Sequence, residues 1–116
     1  MVGKRSIMPE GFLAGILAFQ PERHMLEFEW YPDKATSNEK KHGVSFQEAA
    51  TVFGDPLSLT FFDPDHSIDE NRYITIGTSA RGQLIIVSHA DRDDRIRIIS
   101  ARKATRRERK IYENGQ

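Results

Sequence analysis

The sequence predicts an α+β domain in which a strand and a helical hairpin come first, and a four-stranded antiparallel meander and a C-terminal helix follow. Helix-type spacing and helix-capping residues are concentrated before residue 56, and four short β-rich runs follow between residues 57 and 101. The turns between these runs are too short for the crossover that parallel neighbours require, so we expect antiparallel pairing. A chain of 116 residues supports one domain with a modest core.

The first strand is predicted at residues 26–30, where apolar and acidic residues alternate with the period of a half-buried strand. Pro32 then suits the first position of a helix, and Gly43 suits its C-terminal cap. Tyr31 precedes the proline and lacks the side-chain oxygen of a good N-cap. We expect this to cost about 1 kcal/mol of local stability.

A second helix is predicted to begin after Ser45. Ser45 and Glu48 have the spacing of a capping box, in which each side chain bonds the backbone amide of the other residue. Apolar residues at 46, 49, 50 and 53 recur at helical spacing, and the Gly-Asp-Pro run at 54–56 ends the helix. The two helices form a hairpin whose apolar faces need a sheet to cover them.

The meander is predicted from four runs of apolar and β-branched residues, at 57–62, 71–79, 83–90 and 95–101. The third run is the most apolar of the four. After the fourth, Thr105 and Glu108 form a second capping box, which opens a C-terminal helix running to about residue 113.

We expect residues 1–24 to be an N-terminal extension of a domain that covers residues 25–116. The patterned sequence begins near Met25, which could itself be the start of the domain. The extension is then either a helical or disordered addition or the result of a start codon assigned too far upstream. No apolar run approaches the ~18 residues of a membrane span, so we expect no membrane partner. The absence of cysteine fits a cytoplasmic protein.

Positive charge is concentrated near the C-terminus although the net charge is zero. Residues 92–110 include nine basic and three acidic side chains, whereas residues 63–70 include four acidic side chains and no basic one. In the fourth run, Ile96, Ile98 and Ser100 are expected on one face of the strand and Arg95 and Arg97 on the other. The distribution of charge, rather than its sum, therefore points to a binding surface.

The basic segment has the residue types that grip a phosphate backbone. Arginine presents a planar fork to phosphate oxygens, and the amides at a helix start add anion affinity. We therefore expect RNA-binding roles for residues of the last strand and the following turn and helix, namely Arg95, Lys103 and Arg106. Arg81 joins them because it lies at a strand turn. An alternative interpretation of the charged helix at 106–110 is that it is simply a solvent-exposed surface with no binding role.

The sequence lacks the motifs typical of nucleotide-binding proteins, serine hydrolases and metalloenzymes. There is no phosphate-binding loop, dinucleotide fingerprint or serine-hydrolase elbow, and no histidine grouping has the spacing of metal ligands. We therefore expect no cofactor and no metal. Arginine, lysine and tyrosine on a small sheet suit metal-free RNA cleavage, in which the substrate's own 2′-OH attacks the neighbouring phosphate.

Several short motifs follow one another between Leu26 and Tyr112, over nearly the whole chain. They are FEW at 28–30, Pro32, Lys34, Asn38, Lys41-His42-Gly43, Phe46, Glu48-Ala49, VFGDP at 52–56, the Glu70/Arg72 pair, Gly77, RIISARKAT at 97–105, Glu108 and Tyr112. Together and in this order they resemble the BrnT family of toxins from bacterial type II toxin–antitoxin modules.

The resemblance implies a RelE-like fold and an endoribonuclease that blocks translation. It implies a BrnA-like antitoxin with a ribbon-helix-helix domain as the partner, and contact with operator DNA only through the antitoxin complex. Carried over onto matching positions, it implies catalytic roles for five residues: Arg72, Arg97, Arg102, Lys41 and Tyr112.

Two alternatives remain at this stage. The basic face could belong to a non-catalytic module that docks an antitoxin or DNA and acts in transcriptional autoregulation. A repressor that binds DNA by itself is a third reading, but the sequence has no apparent helix-turn-helix recognition helix.

Overall fold

The structure, a computed structural model, describes residues 26–92 and 94–115. Eight main elements follow one another in this part of the chain: β1 (Glu27–Glu29), α1 (Pro32–His42), α2 (Phe46–Thr51), β2 (Leu59–Phe62), β3 (Arg72–Thr78), β4 (Leu84–Arg92), β5 (Arg95–Lys103) and α3 (Arg106–Asn114). Short 3-10 helices lie at Val52–Gly54 and Pro64–His66. The predicted α+β class is confirmed. The expected extension, residues 1–24, lies outside the described residues.

The strands form one mixed sheet in the order β1-β5-β4-β3-β2. β2 to β5 pair antiparallel in sequence order, as the short turns predicted. β1 adds to the free edge of β5 in parallel, with Phe28 beside Ile96. The most apolar run becomes β4, the central strand. The RelE-like arrangement stays a prediction.

The main core lies between one face of the sheet and the hairpin of α1 and α2. It contains Phe28, Trp30, Val44, Phe46, Ala49, Ala50, Val52, Ile85, Val87, Ile98 and Ala101. At one side of this core the backbone of Gly77 packs closely against Val52. A Cβ added at Gly77 would lie only 2.7 Å from Val52 Cγ1. The other face carries α3 at one end, where Tyr112 and Ala104 pack against Ile76, Leu84 and Ile86. The remainder of this second face, which we call the open face, is not covered by a described helix.

A β-bulge in β5 changes which residues the open face presents. Ser88 pairs with Ser100, but the next residue, His89, pairs with Ile98, so Ile99 is the extra residue. The bulge resets the alternation of side chains, and Ala101 therefore joins Ile98 in the main core. Ser100 and Arg102 consequently lie on the same face as Arg97. The expectation that Ser100 shares a face with Ile96 and Ile98 is wrong for this reason.

The helix ends agree with the sequence in most respects. Tyr31 makes no side-chain cap and Gly43 ends α1 in the left-handed conformation, as predicted. Thr105 and Glu108 form the predicted capping box. At α2 only half of the predicted box is present, because Ser45 accepts from the Glu48 amide but the Glu48 carboxylate turns elsewhere. Its Oε2 accepts hydrogen bonds from the Ser79 hydroxyl at 2.7 Å and from the side-chain Nε2 of Gln83 at 2.8 Å.

Asn38 connects α1 to the sheet. Its side chain is buried, and its Nδ2 donates to the carbonyl oxygens of Val44 and Ala101 at 3.0 and 2.9 Å. Its Oδ1 accepts from the Ala101 amide at 3.0 Å. β1 pairs with β5 only as far as Arg97. Beyond that point, the Asn38 side-chain amide takes the place of a neighbouring strand and bonds the backbone of Ala101.

We predict that Asn38→Ala lowers the free energy of unfolding by about 2–4 kcal/mol, because it leaves the buried backbone groups of Ala101 and Val44 without partners. Asn38→Asp should also destabilise, since it loses both donated bonds. Urea unfolding at pH 7 measures the change, and Ser37→Ala on the exposed side of α1 is the control. An Asn38→Ala protein within about 0.5 kcal/mol of the parent would contradict this role.

Candidate functional site

Four residues form a row across the open face. Glu29 on β1 pairs with Arg97 on β5, Arg97 pairs with Ala90 on β4, and Ala90 pairs with Arg72 on β3. Paired residues on neighbouring strands point to the same side of a sheet. Because Ala90 is small, the long side chains of Arg97 and Arg72 can meet above it.

The two arginines meet at one carboxylate oxygen. Glu70 lies two residues before β3 begins at Arg72, and its Oε2 accepts from Arg72 Nε at 3.2 Å and from Arg97 Nη2. Within the described part of the chain, Glu70 Oε1 accepts no hydrogen bond. Arg97 also lies over the Tyr31 ring, with its Cζ 5.9 Å from the ring centroid. We call Arg72, Arg97 and Glu70 the arginine–glutamate cluster.

The cluster has the groups that a phosphate reaction needs. Two guanidinium groups share one carboxylate oxygen in the cluster, so an anion that replaces this oxygen would meet both of them. The Arg97 side chain is only 12% exposed, so its orientation is held by its surroundings, whereas Glu70 is 30% exposed and accessible. A carboxylate with one free oxygen can accept a proton from a bound substrate.

Lys41 lies on α1 beside the same strand. It lines a cleft of about 460 Å³ between α1 and the bulge of β5, together with Lys34, His42 and Ser100. Lys34 and Lys41 flank Asn38 on one side of the helix at intervals of three or four residues. Ser100 lies on the open face, as Arg97 does, and it also lines this cleft. The cleft is therefore adjacent to the arginine–glutamate cluster.

Arg102 is held by Glu108 of α3. Its Nη1 and Nη2 donate to Glu108 Oε1 and Oε2, each at 2.8 Å, in a paired geometry. The hydrogen bonds from Arg102 lower the pKa of Glu108 to about 2, although partial burial works against them. The same bonds raise the pKa of Arg102. Arg102 therefore connects β5 to α3, and an RNA phosphate would have to compete with Glu108 for it.

Arg95 is likewise bound to carboxylates. Its Nη1 contacts Oε1 of the fully buried Glu29 at 3.1 Å, and its Nε contacts Glu27 Oε1 at 3.2 Å. Two acidic partners neutralise its charge. The remaining predicted RNA-binding residues, Arg81, Lys103 and Arg106, are all exposed, in the β3–β4 turn, at the end of β5 and at the start of α3.

Tyr112 lies far from the cluster. Its hydroxyl donates to Asp55 Oδ2 at 2.6 Å and accepts from Thr78 Oγ1 at 3.2 Å. Thr78 ends β3 and Arg72 begins it, so the two positions are roughly 20 Å apart at 3.3 Å per residue. The hydrogen bond to Asp55 raises the pKa of Tyr112. Burial works to raise the pKa of Asp55, but the hydrogen bonds from Tyr112, Thr78 and Leu57 outweigh it and lower that pKa.

In residues 26–92 and 94–115, no three histidine, aspartate or glutamate side chains are grouped so that they could hold a metal ion. No helix in the same ranges is long and apolar enough to cross a membrane.

A family model described as the ribonuclease toxin BrnT of type II toxin–antitoxin systems matches residues 30–108. The chain belongs to the BrnT family. The resemblance predicted from the motifs is thereby confirmed, and with it the family's character as ribonuclease toxins that have an antitoxin partner. The matched region includes Lys41, Arg72, Arg97 and Arg102, and it ends before Tyr112. A search of curated proteins finds no match to the chain.

The structure brings together only part of the predicted catalytic set. Arg72 and Arg97 meet, Lys41 lies in the adjoining cleft, Arg102 is paired with Glu108, and Tyr112 is remote. Sequence reasoning noticed the Glu70/Arg72 spacing in the BrnT motifs but missed that Glu70 also binds Arg97, which is 27 residues away. The only sequence signal was the position of Glu70 just before a strand that carries an arginine.

The lowered pKa of Glu108 predicts a pH-dependent contribution to stability. A carboxylate whose pKa falls from 4.5 to about 2 on folding stabilises the protein above pH 4.5. That contribution disappears as the pH falls towards 2. Because the Arg102 side chain is 41% exposed and solvent screens the pair, Glu108→Gln should cost on the order of 1 kcal/mol at pH 7 and almost nothing near pH 2.

Urea unfolding of the parent and Glu108→Gln proteins between pH 7 and pH 2.5 measures this difference. Glu113→Gln, at an exposed position of the same helix, is the matched control. A difference between parent and Glu108→Gln that does not change with pH would rule out the ion pair as its source.

Proposed function

We propose that this BrnT-family chain is a metal-independent endoribonuclease that cleaves RNA by attack of the 2′-OH and thereby inhibits translation in the cytoplasm. The observation that carries the proposal is the arginine–glutamate cluster. It combines two arginines that could bind a phosphate with a carboxylate whose Oε1 accepts no hydrogen bond from the described residues, on a sheet face that an RNA strand could reach.

In the proposed reaction, a phosphate of the RNA binds Arg72 and Arg97 in place of Glu70 Oε2. Glu70 then takes the proton from the 2′-OH. The 2′-oxygen forms a bond to phosphorus, the bond from phosphorus to the 5′-oxygen breaks, and that oxygen takes a proton from solvent water as it leaves. The products are a 2′,3′-cyclic phosphate and a 5′-hydroxyl end. The arginines stabilise the charge that grows on the pentacoordinate phosphorus.

The cleft beside α1 supplies the continuation of the RNA path. Lys34 and Lys41 are exposed cations next to Ser100, so a neighbouring phosphate can bind there. Arg106 adds positive charge at the start of α3, whereas Lys103 pairs with the core residue Ile85 and so points to the opposite face of the sheet. We assign Arg95, Arg102 and Tyr112 to positioning, because each is already bound to a carboxylate of the fold.

The partner is proposed to be a BrnA-like ribbon-helix-helix antitoxin. A toxin of a type II system is neutralised by its antitoxin, and the toxin would reach operator DNA only within that complex. The RelE-like fold belongs to the same proposal. A five-stranded sheet with helices on both faces is compatible with it.

We predict that Arg97→Lys reduces RNA cleavage at least about 100-fold, since it keeps the charge but removes the planar fork that fits a phosphate. Glu70→Gln should reduce cleavage as strongly, because an amide cannot accept the proton. The assay uses a short RNA with EDTA present, and the products are analysed for the cyclic phosphate. Arg107→Lys, at an exposed position of α3, is the control and should retain parental activity.

Two results would contradict the mechanism. One is cleavage that requires an added divalent cation. The other is cleavage of an RNA in which the 2′-OH at the cut position is replaced by hydrogen. If no variant of the cluster changes cleavage or growth inhibition while antitoxin binding persists, the non-catalytic binding module becomes the better description.

A further inference from the structure

The region around β2 exposes apolar side chains. Five large apolar residues of the described ranges are strongly exposed, and four of them fall between residues 57 and 68: Leu57, Phe61, Phe62 and Ile68. Phe61 and Phe62 are 46% and 51% exposed, and they point to opposite faces of the sheet edge. A cluster of exposed apolar residues is typical of an interaction surface.

The backbone of β2 is also available. Among the described strands β2 is the last of the sheet, so one side of it faces no strand of residues 26–92 and 94–115. The Asp63 amide donates to the Arg72 carbonyl, and the alternation of an antiparallel ladder then directs the bonds of residues 61 and 59 towards β3. The amides and carbonyls of Thr60 and Phe62 therefore point outwards.

Edge strands of monomeric proteins are usually protected against pairing. Proline, lysine, an inward-pointing charge or a bulge are the common devices. The four residues of β2, Leu59 to Phe62, include none of these residue types, and the ladder to β3 is regular. The edge therefore retains what an added strand requires.

The charge around the edge distinguishes between partners. Residues 63–70 include four acidic side chains and no basic one. Asp65 and Asp69 are exposed, and they line a cleft of about 290 Å³ together with His66, Ile68 and the cluster residues Glu70 and Arg72. The exposed pair of aspartates attracts a basic peptide.

We propose that the outer edge of β2 is the docking site for an extended segment of the antitoxin, which adds a sixth strand to the sheet. Its apolar side chains would pack on Phe61 and Phe62, and its basic side chains would face Asp65 and Asp69. The proposal rests on the antitoxin partnership of the proposed function and not on the cleavage chemistry.

The position of the added strand also explains how the antitoxin inhibits. A strand beside β2 lies two strand spacings, about 10 Å, from β3. Arg72 of the arginine–glutamate cluster begins β3. Side chains of the antitoxin on the open face would then stand between the cluster and an approaching RNA.

Hydrogen exchange tests the backbone part of the proposal. The chain is compared alone and in complex with a BrnA-like ribbon-helix-helix antitoxin. We expect the amides of Thr60 and Phe62 to exchange at least about 10-fold more slowly in the complex. Unchanged exchange at both amides in a complex that forms would overturn the proposal. Protection that grows with the concentration of toxin alone would show that a second copy occupies the edge, and would overturn it as well.

Binding of variants tests the side-chain part. Phe62→Lys should weaken the binding of the antitoxin at least about 10-fold. The double substitution Asp65→Lys and Asp69→Lys should weaken it by a similar factor. The control is Ile111→Lys on α3, because Ile111 is 43% exposed and so is matched to Phe61 and Phe62. Circular dichroism confirms that each variant is folded. Parental affinity in both edge variants would overturn the proposal.

RNA cleavage separates this inference from the proposed function. Phe62→Lys should cleave RNA at the parental rate and resist the antitoxin. If Phe62→Lys loses antitoxin binding and the parent protein never cleaves RNA, the docking proposal is supported and the proposed ribonuclease activity is contradicted. Crosslinking of RNA to Phe61 or Phe62 would instead assign the edge to the substrate, against the proposal.

Discussion

The Asn38 amide is the interaction on which the arrangement of the site depends. β1 is three residues long and pairs with β5 only as far as Arg97. Past that point the edge of β5 would have buried backbone groups without partners, which is costly in a core. Asn38 supplies both a donor and an acceptor to Ala101, and it holds α1 against the strand. The same contact fixes the place of Lys34 and Lys41 beside the open face.

The bulge at Ile99 is the second constraint, and it works together with the first. It lets Ile98 and Ala101 both enter the main core, so the strand bends under α1 while its buried surface stays continuous. It also moves Arg102 to the face that carries Arg97. From there Arg102 reaches Glu108, and this pair fixes the start of α3 over the smaller core. A local irregularity of one residue thereby determines where a whole helix packs.

Much of the fold could be predicted because its signals are local. The turns of the meander, the Gly43 cap and the Thr105/Glu108 box each depend on residues a few positions apart. The features that could not be predicted depend on distant pairs. Nothing in the alternation of residues 26–30 says that β1 runs parallel to β5. The Glu48 carboxylate had a plausible partner in its own helix turn, and a buried Ser79 hydroxyl 31 residues away took it instead.

The same distinction explains the density of positive charge near the C-terminus. Three of the nine basic residues at 92–110 have carboxylate partners: Arg95 with Glu27 and Glu29, Arg97 with Glu70, and Arg102 with Glu108 of the same segment. The partners of Arg95 and Arg97 come from distant parts of the chain, so part of that charge is neutralised within the protein. Arg97 differs from the other two because its partner is shared with Arg72, and Glu70 Oε1 accepts no hydrogen bond from the described residues. In the proposed reaction, an anion that displaces Glu70 would gain two oriented guanidinium groups and leave the carboxylate beside it, so that phosphate binding would also free the base.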